Sequence, residues 1–173
     1  DRIPPIMTQE QVKTLIENMP HDLRLISMIL YGCAMRINEC LRLRIKDVDL
    51  SLEKFSIHEA KGDKDRVIPI PKALLPLVRV QCDKAMSQWK IDVYHKFNGV
   101  NCGGVEKKYP SYTMSKDWYW LFPAQNYSSH PKTHVPMMKH HVMDFTVQRA
   151  FEEVRSRCQL PIYTTPHILR HAC

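Results

Sequence analysis

Residues 23–34, LRLISMILYGCA, are apolar almost all the way round a helical projection, and a helix of that kind runs through the middle of a core rather than across its surface. The rest of the chain has to be laid around it. With 173 residues, 44% of them hydrophobic, there is enough material to bury a core, and the length fits one domain.

The flanking signals are local and readable. Thr8 with Gln11 three residues later forms a capping box, and Val12, Leu15 and Ile16 recur at helical spacing, so a helix is expected over 9–18, ending at Pro20. Asp22 reads as the cap of the central helix. After Met35 and Arg36 comes a short helix, INECLRLR, then a turn around Lys46 and Asp47 and an extended segment, KFSIHEA. KGDK is a turn leading into RVIPIP, where Val67 and Ile68 suit a strand, and Pro69 and Pro71 confine it to an edge or a strand end. A small hairpin is expected there. From Lys72 to about Asn98, Leu74, Leu75, Val78, Cys82, Met86, Trp89 and Val93 share one stripe of a long amphipathic helix.

Residues 99–117 read as a long loop, Trp118 to Pro123 as a partly buried aromatic segment, and 124–141 as a polar stretch with four histidines. A helix over 144–157 follows, with Phe145, Val147, Ala150, Phe151 and Val154 inward. The last helix starts at Pro166 behind a Thr165 cap, since proline's missing N–H is unpaired at that position anyway. The expected fold is mainly α with a small antiparallel β-sheet, one domain over 1–173, in which 1–7 is a linker and 99–143 a loop and insertion region.

Charge points to the partner. Lys and Arg number 25 against 18 Asp and Glu, a net charge of +7, which favours phosphate-rich polymers over acidic proteins. There is no apolar run of about 18 residues and no secretory leader pattern, so a soluble intracellular protein is expected, without a membrane partner. The six cysteines are widely spaced with no CxxC pair, as for reduced, mostly buried thiols.

Four residues carry the chemistry as a set: Arg36, Lys61, His167 and Arg170. Singly, each has an ordinary explanation: an ion pair of Arg36 with Glu39, a solvated turn lysine, a structural histidine. Together they make a phosphodiester site. His167 and Arg170 stand at i and i+3 on one helix face near the positive end of its dipole. Two guanidinium forks can grip the non-bridging oxygens of one phosphate as charge grows on them, the histidine can donate to the same oxygens or manage a proton, and a turn lysine can protonate the departing 5′ oxygen. Neither an HxExxH arrangement nor a GxxxxGKS loop is present, so no metal and no nucleotide cofactor are expected.

The segments LYGCAMRINECLRLRIKDVD, AKGDKDRVIPIP and HILRH together resemble the catalytic domain of tyrosine site-specific recombinases, over nearly the whole chain. With WLFPA and KHHVMDFTVQRAF, the chain looks most like the integron integrases, which carry an extra helical insertion before the HxxR box. The resemblance implies that Arg36 and Arg170 clamp the phosphate, Glu39 supports Arg36, Lys61 is the turn lysine, His167 the first histidine and His171 an orienting neighbour. It also implies a metal-free transesterification through a 3′-phosphotyrosyl intermediate, four protomers on DNA, gene cassettes as cargo, and a bacterial, cytoplasmic, nucleoid-associated setting.

The family nucleophile is a tyrosine beyond the HxxR box, and none of Tyr31, Tyr94, Tyr109, Tyr112, Tyr119, Tyr127 and Tyr163 lies there. The chain as given is therefore expected to be a catalytic-domain fragment that binds DNA without cutting it, lacking the N-terminal DNA-clamping domain and the nucleophile segment. For the integron branch, Trp118, Trp120, Lys139, His140 and His141 are the expected nucleic-acid contacts, the rings suiting unpaired bases of a folded single strand. A zinc site from His130, His134, His140 and His141 is conceivable, but no cysteine pair stands beside them. The competing functions are a catalytically silent DNA-binding module, a type IB topoisomerase-like relaxing enzyme and a plain phage or chromosome-dimer recombinase acting on duplex sites.

Overall fold

A computed structural model describes residue 3 and residues 5–58 and 65–172. The chain divides into two compact units: one comprises the residues up to Leu41, Ile70–Leu74 and those from Met143 onward, the other Arg42–Pro69 and Leu75–Val142.

The first unit is helical. Helix α1 (Gln9–Asn18) begins with the expected capping box, the Thr8 hydroxyl accepting from the Gln11 N–H and the Gln11 amide oxygen accepting from the Thr8 N–H. Met7, at the end of the expected linker, is already buried. Helix α2 (His21–Gly32) is the central element, with Ile26, Ile29 and Leu30 wholly buried; cutting any of them back to alanine costs about 2–5 kcal/mol. Its N-cap is Pro20 and not Asp22, which lies in the first turn, where a carboxylate still faces the positive end of the dipole.

The short helix α3 (Ile37–Leu41) stops before Arg42, Leu43 and Arg44, the residues expected to continue it. They run extended instead: the Leu43 carbonyl accepts from the Leu121 N–H, and Arg44 bridges to Trp120. Helix α5 (Asp144–Arg157) buries Val147, Ala150, Phe151 and Val154. Phe145, expected inward, is 54% exposed because it sits on the opposite face of the first turn. Helix α6 (Pro166–His171) starts as expected, the Thr165 hydroxyl accepting from the Ile168 N–H at 3.3 Å. Helix α2 packs against α1, α3 and α6, and α5 against the same three.

The second unit is mixed. Strands β1 (Val48–Asp49), β2 (Lys54–Ile57) and β3 (Arg66–Pro69) form an antiparallel sheet in that order, with Phe55 opposite Ile68 and Ile57 opposite Arg66. The expected hairpin is β2–β3, with proline-bearing β3 on the edge, and β1 adds a third strand. Helix α4 (Leu75–Tyr94) follows a 3-10 turn over Lys72–Leu74, and its inner face is Val78, Cys82, Ala85 and Asp92. Leu75 is only half-buried and Val93 is exposed, so the buried stripe is rotated from the expected one.

The polar stretch 124–141 contains a second sheet, β4 (Pro123–Ser128) paired antiparallel with β5 (Met138–His141). Among the described residues, 3-10 turns at Val105–Lys107 and Pro110–Met114 and this hairpin stand where the resemblance implies a helical insertion. The core beneath is Phe97, Val100, Cys102, Tyr119 and Trp120. Gly99 lets the loop close on it: its φ is +85°, and a Cβ there would lie 2.5 Å from the Thr113 carbonyl oxygen.

Candidate active site

Arg36 stands just before α3, where α2 has ended and the chain turns through Ala34, whose φ of +50° lies in the left-handed region. The Glu39 carboxylate accepts from the Arg36 N–H at 2.9 Å and lies 3.4 Å from the guanidinium Nη1. Glu39 is thus both the cap of α3 and the partner of the arginine. Its side chain is 10% exposed against 58% for Arg36, so the carboxylate is held in the protein while the guanidinium faces water. A pair that exposed adds little to stability, about 0–1 kcal/mol. Its value is orientation.

Arg170 comes to the same segment from the far end of the chain. Its Nε donates to the Ala34 carbonyl at 2.7 Å. Among the described residues its two terminal nitrogens make no hydrogen bond, which leaves the flat fork for an anion. His167 is exposed one turn before it, and its ring meets that of His171 edge-on at 4.7 Å. One hydrogen bond therefore ties the helix of the HxxR box to the loop that presents Arg36, within a single compact unit. Lys61 lies outside the described residues.

The expected nucleic-acid contacts are in the other unit, and most of them face inward. Lys139, expected on the DNA side, is 2% exposed. Its ammonium lies 3.6 Å from the Asp92 carboxylate and donates to the Ala124 and Gln125 carbonyls at 3.1 and 3.4 Å, so it is spent inside the protein. Trp120 and His141 are buried as well. The Trp120 indole N–H donates to the Lys139 carbonyl, and Arg44 lies over its ring at 3.9 Å while donating to the Trp118 and Asn101 carbonyls. These are packing roles. Trp118 and His140 are only half-buried.

The His140 and His141 rings lie 4.1 Å apart. Burial, with His140, Arg42 and Arg44 nearby, pushes His141 down to about 4, although its bond to the Val142 carbonyl opposes this; burial also lowers His140, aided by the same two arginines. At neutral pH the pair is therefore two uncharged rings, suited to stacking rather than to gripping phosphate. His130 is committed to its own turn, its Nδ1 accepting from the Lys132 and Thr133 N–H groups.

Two residues of this unit carry weight that periodicity did not assign them. Arg44 is a half-buried cation that stacks on the tryptophans, and Asp92 is the buried anion that meets Lys139, Tyr119 and Tyr127. Asp92 had a signal: it continues the 78, 82, 85, 89 spacing of the inner face of α4, and an acid in such a stripe calls for a buried counter-charge. Arg44 had none.

A sequence model of the phage integrase family matches residues 5–173. The chain is 35% identical over 172 residues to an integrase/recombinase of Escherichia coli, covering 99% of this chain and 51% of that protein. It is 40% identical over 80 residues to the tyrosine recombinase XerA of Pyrococcus furiosus, covering 44% of this chain and 28% of that one. Among solved structures, the fold is similar to that of XerA recombinase, with a TM-score of 0.60 at 20% identity over 99% of this chain and 49% of that one. It is also similar to the Tn1549 transposon integrase in complex with a circular intermediate DNA, with a TM-score of 0.61 at 17% identity over 99% of this chain and 52% of that one. The chain spans about half the length of the full-length curated relatives it matches.

Proposed function

Because the chain belongs to the phage integrase family, we propose that it supplies the phosphate-gripping and acid–base groups of a site-specific DNA recombinase. The observation that carries this reading is the Arg170 to Ala34 hydrogen bond, which ties two arginine-bearing segments from opposite ends of the chain to one another. Two guanidinium forks carried by one compact unit suit a single phosphodiester: each would neutralise a non-bridging oxygen as the pentacovalent centre forms. His167 stands one turn away to donate to those oxygens or to relay a proton.

In this mechanism a tyrosine of the full-length protein attacks phosphorus, a phosphotyrosyl bond to the 3′ end forms, and the bond to the 5′ oxygen breaks. Lys61 gives that oxygen its proton. The reverse attack by a 5′ hydroxyl of another strand rejoins the DNA and frees the tyrosine. Four protomers exchanging two pairs of strands, inside a cell that holds the DNA, complete the proposal.

The role of Lys61 has a chemical test. Lys61→Ala in the full-length recombinase is expected to slow cleavage of an ordinary strand by about a hundredfold or more, as loss of a general acid does. A substrate with sulfur in place of the departing 5′ oxygen needs no proton and should be cut at nearly the unsubstituted rate. Slow cleavage of both removes Lys61 from this role.

Gene-cassette recombination on folded single strands is the finer reading, and the uncharged His140 and His141 rings with half-exposed Trp118 support it as a place for unpaired bases. His140→Ala is then expected to weaken binding of a bulged hairpin several-fold more than binding of a plain duplex, measured by gel shift at matched salt. Equal losses on both would leave the duplex-acting recombinase.

A further inference from the structure

Helix α2 ends at Gly32 with Cys33 as its cap, and the next residue, Ala34, takes a φ of +50°. A left-handed residue just past a helix is common, and it is usually glycine, because a Cβ crowds the following carbonyl there. Its ordinary use is to return its own N–H, or that of the residue after it, to the last carbonyls of the helix. Ala34 is not used in that way. Among the described residues neither the Ala34 N–H nor the Met35 N–H makes a hydrogen bond, and the helix is closed by Cys33, whose N–H donates to the Ile29 carbonyl at 2.9 Å.

We propose that Ala34 is a positioning residue for Arg170, its left-handed backbone turned so that a carbonyl, and not a carboxylate, holds the second arginine of the site. The Arg170 Nε donates to that carbonyl at 2.7 Å. A non-glycine residue keeps such a φ only where its surroundings over-determine it, and both flanks of Ala34 are pinned. Cys33 is tied to α2; beyond Ala34, Met35 is wholly buried and the Arg36 N–H is taken by the Glu39 carboxylate at 2.9 Å.

The kind of acceptor matters. Arg36 shares its charge with Glu39, 3.4 Å away. Arg170 is held by a neutral oxygen, and among the described residues no carboxylate pairs with it, so its full charge is left for phosphate. A guanidinium on its long stem would otherwise spread over many positions, and a misplacement of about 1 Å can cost about a hundredfold. The carbonyl fixes the fork without neutralising it.

This inference rests on Arg170 gripping the scissile phosphate, and its test separates the two. Ala34 is exposed, so a larger side chain there meets water rather than the core and acts through the backbone. In the full-length recombinase, Ala34→Val should drive φ out of the left-handed region and slow single-turnover cleavage about tenfold or more. The DNA concentration giving half the maximal rate should move little. Ala34→Gly, which takes a positive φ without strain, should lose much less. On a strand whose scissile linkage is a methylphosphonate, with one negative charge fewer, a displaced Arg170 matters less, so the loss from Ala34→Val should shrink. Ala34→Val should also add nothing to Arg170→Ala. Equal slowing on both linkages, no slowing on either, a loss from Ala34→Gly as large as that from Ala34→Val, or a further loss beside Arg170→Ala overturns the proposal. If Ala34→Val misfolds, replacing Met35 by its α-hydroxy analogue keeps the test decisive. That change makes the Ala34 carbonyl a weaker-accepting ester and removes an N–H that bonds to nothing among the described residues, and it should slow the charged linkage more than the methylphosphonate. Arg170→Ala equally slow on both linkages is a distinct result: it overturns the phosphate role of Arg170, and this inference with it.

Discussion

Arg170→Ala in the full-length recombinase is expected to lower strand cleavage by at least about a hundredfold while leaving DNA binding nearly intact. The guanidinium can do two separable things: its Nε holds the Ala34 carbonyl, and its terminal nitrogens, which make no hydrogen bond among the described residues, are left for an oxyanion. Alanine loses both. Arg170→Lys keeps the charge but has no planar fork, so it cannot hold the carbonyl and an oxyanion together and should fall nearly as far. Arg36→Ala should match Arg170→Ala, because two oxygens of one phosphate need two donors. Glu39→Gln should cost much less, since its amide oxygen can still cap the Arg36 N–H. Single-turnover formation of the covalent protein–DNA product reads all four. Undiminished cleavage in either alanine variant takes that arginine out of the site.

The second large effect is on stability. Asp92→Ala should destabilise the unit that holds it by about 3–5 kcal/mol, because it leaves the Lys139 ammonium buried without its counter-charge. The carboxylate also accepts from Tyr119 and Tyr127, and burial with that bond pushes the Tyr127 hydroxyl up to about 12. Asp92→Asn keeps an acceptor for the tyrosines but not the charge, so it should recover only part of the loss. Removing both charges, as Asp92→Leu with Lys139→Met, should be milder than Asp92→Ala alone, since an apolar pair of similar volume can replace a buried ion pair. Urea unfolding of these variants, with Asp92→Leu and Lys139→Met also measured singly, tests this, and additive losses across that pair would show that Asp92 and Lys139 stand independently.

The physical reach of each signal explains what could be read in advance. The capping box at Thr8 and Gln11, the Thr165–Pro166 start of α6 and the apolar run of α2 are settled within a turn or two of helix, and each is found where the residues place it. The β2–β3 hairpin was legible for the same reason, from β-formers beside a turn and prolines that force an edge. The β4–β5 hairpin was not: its second strand buries Met138, Lys139 and His141, a run that does not alternate and that puts a charge at a core position.

By itself, then, the sequence determined the local elements and the set of residue types a phosphate site requires, because caps, periodicity and turn chemistry act over a few residues. Tertiary structure alone decided which charges meet and which rings stay open to solvent. Arg170 reaches Ala34 across 136 residues, and Asp92 finds Lys139 inside the protein while Trp120 and His141 turn away from water. A long side chain carries the same charge in a core or at a surface, and only the three-dimensional position of its partner settles which.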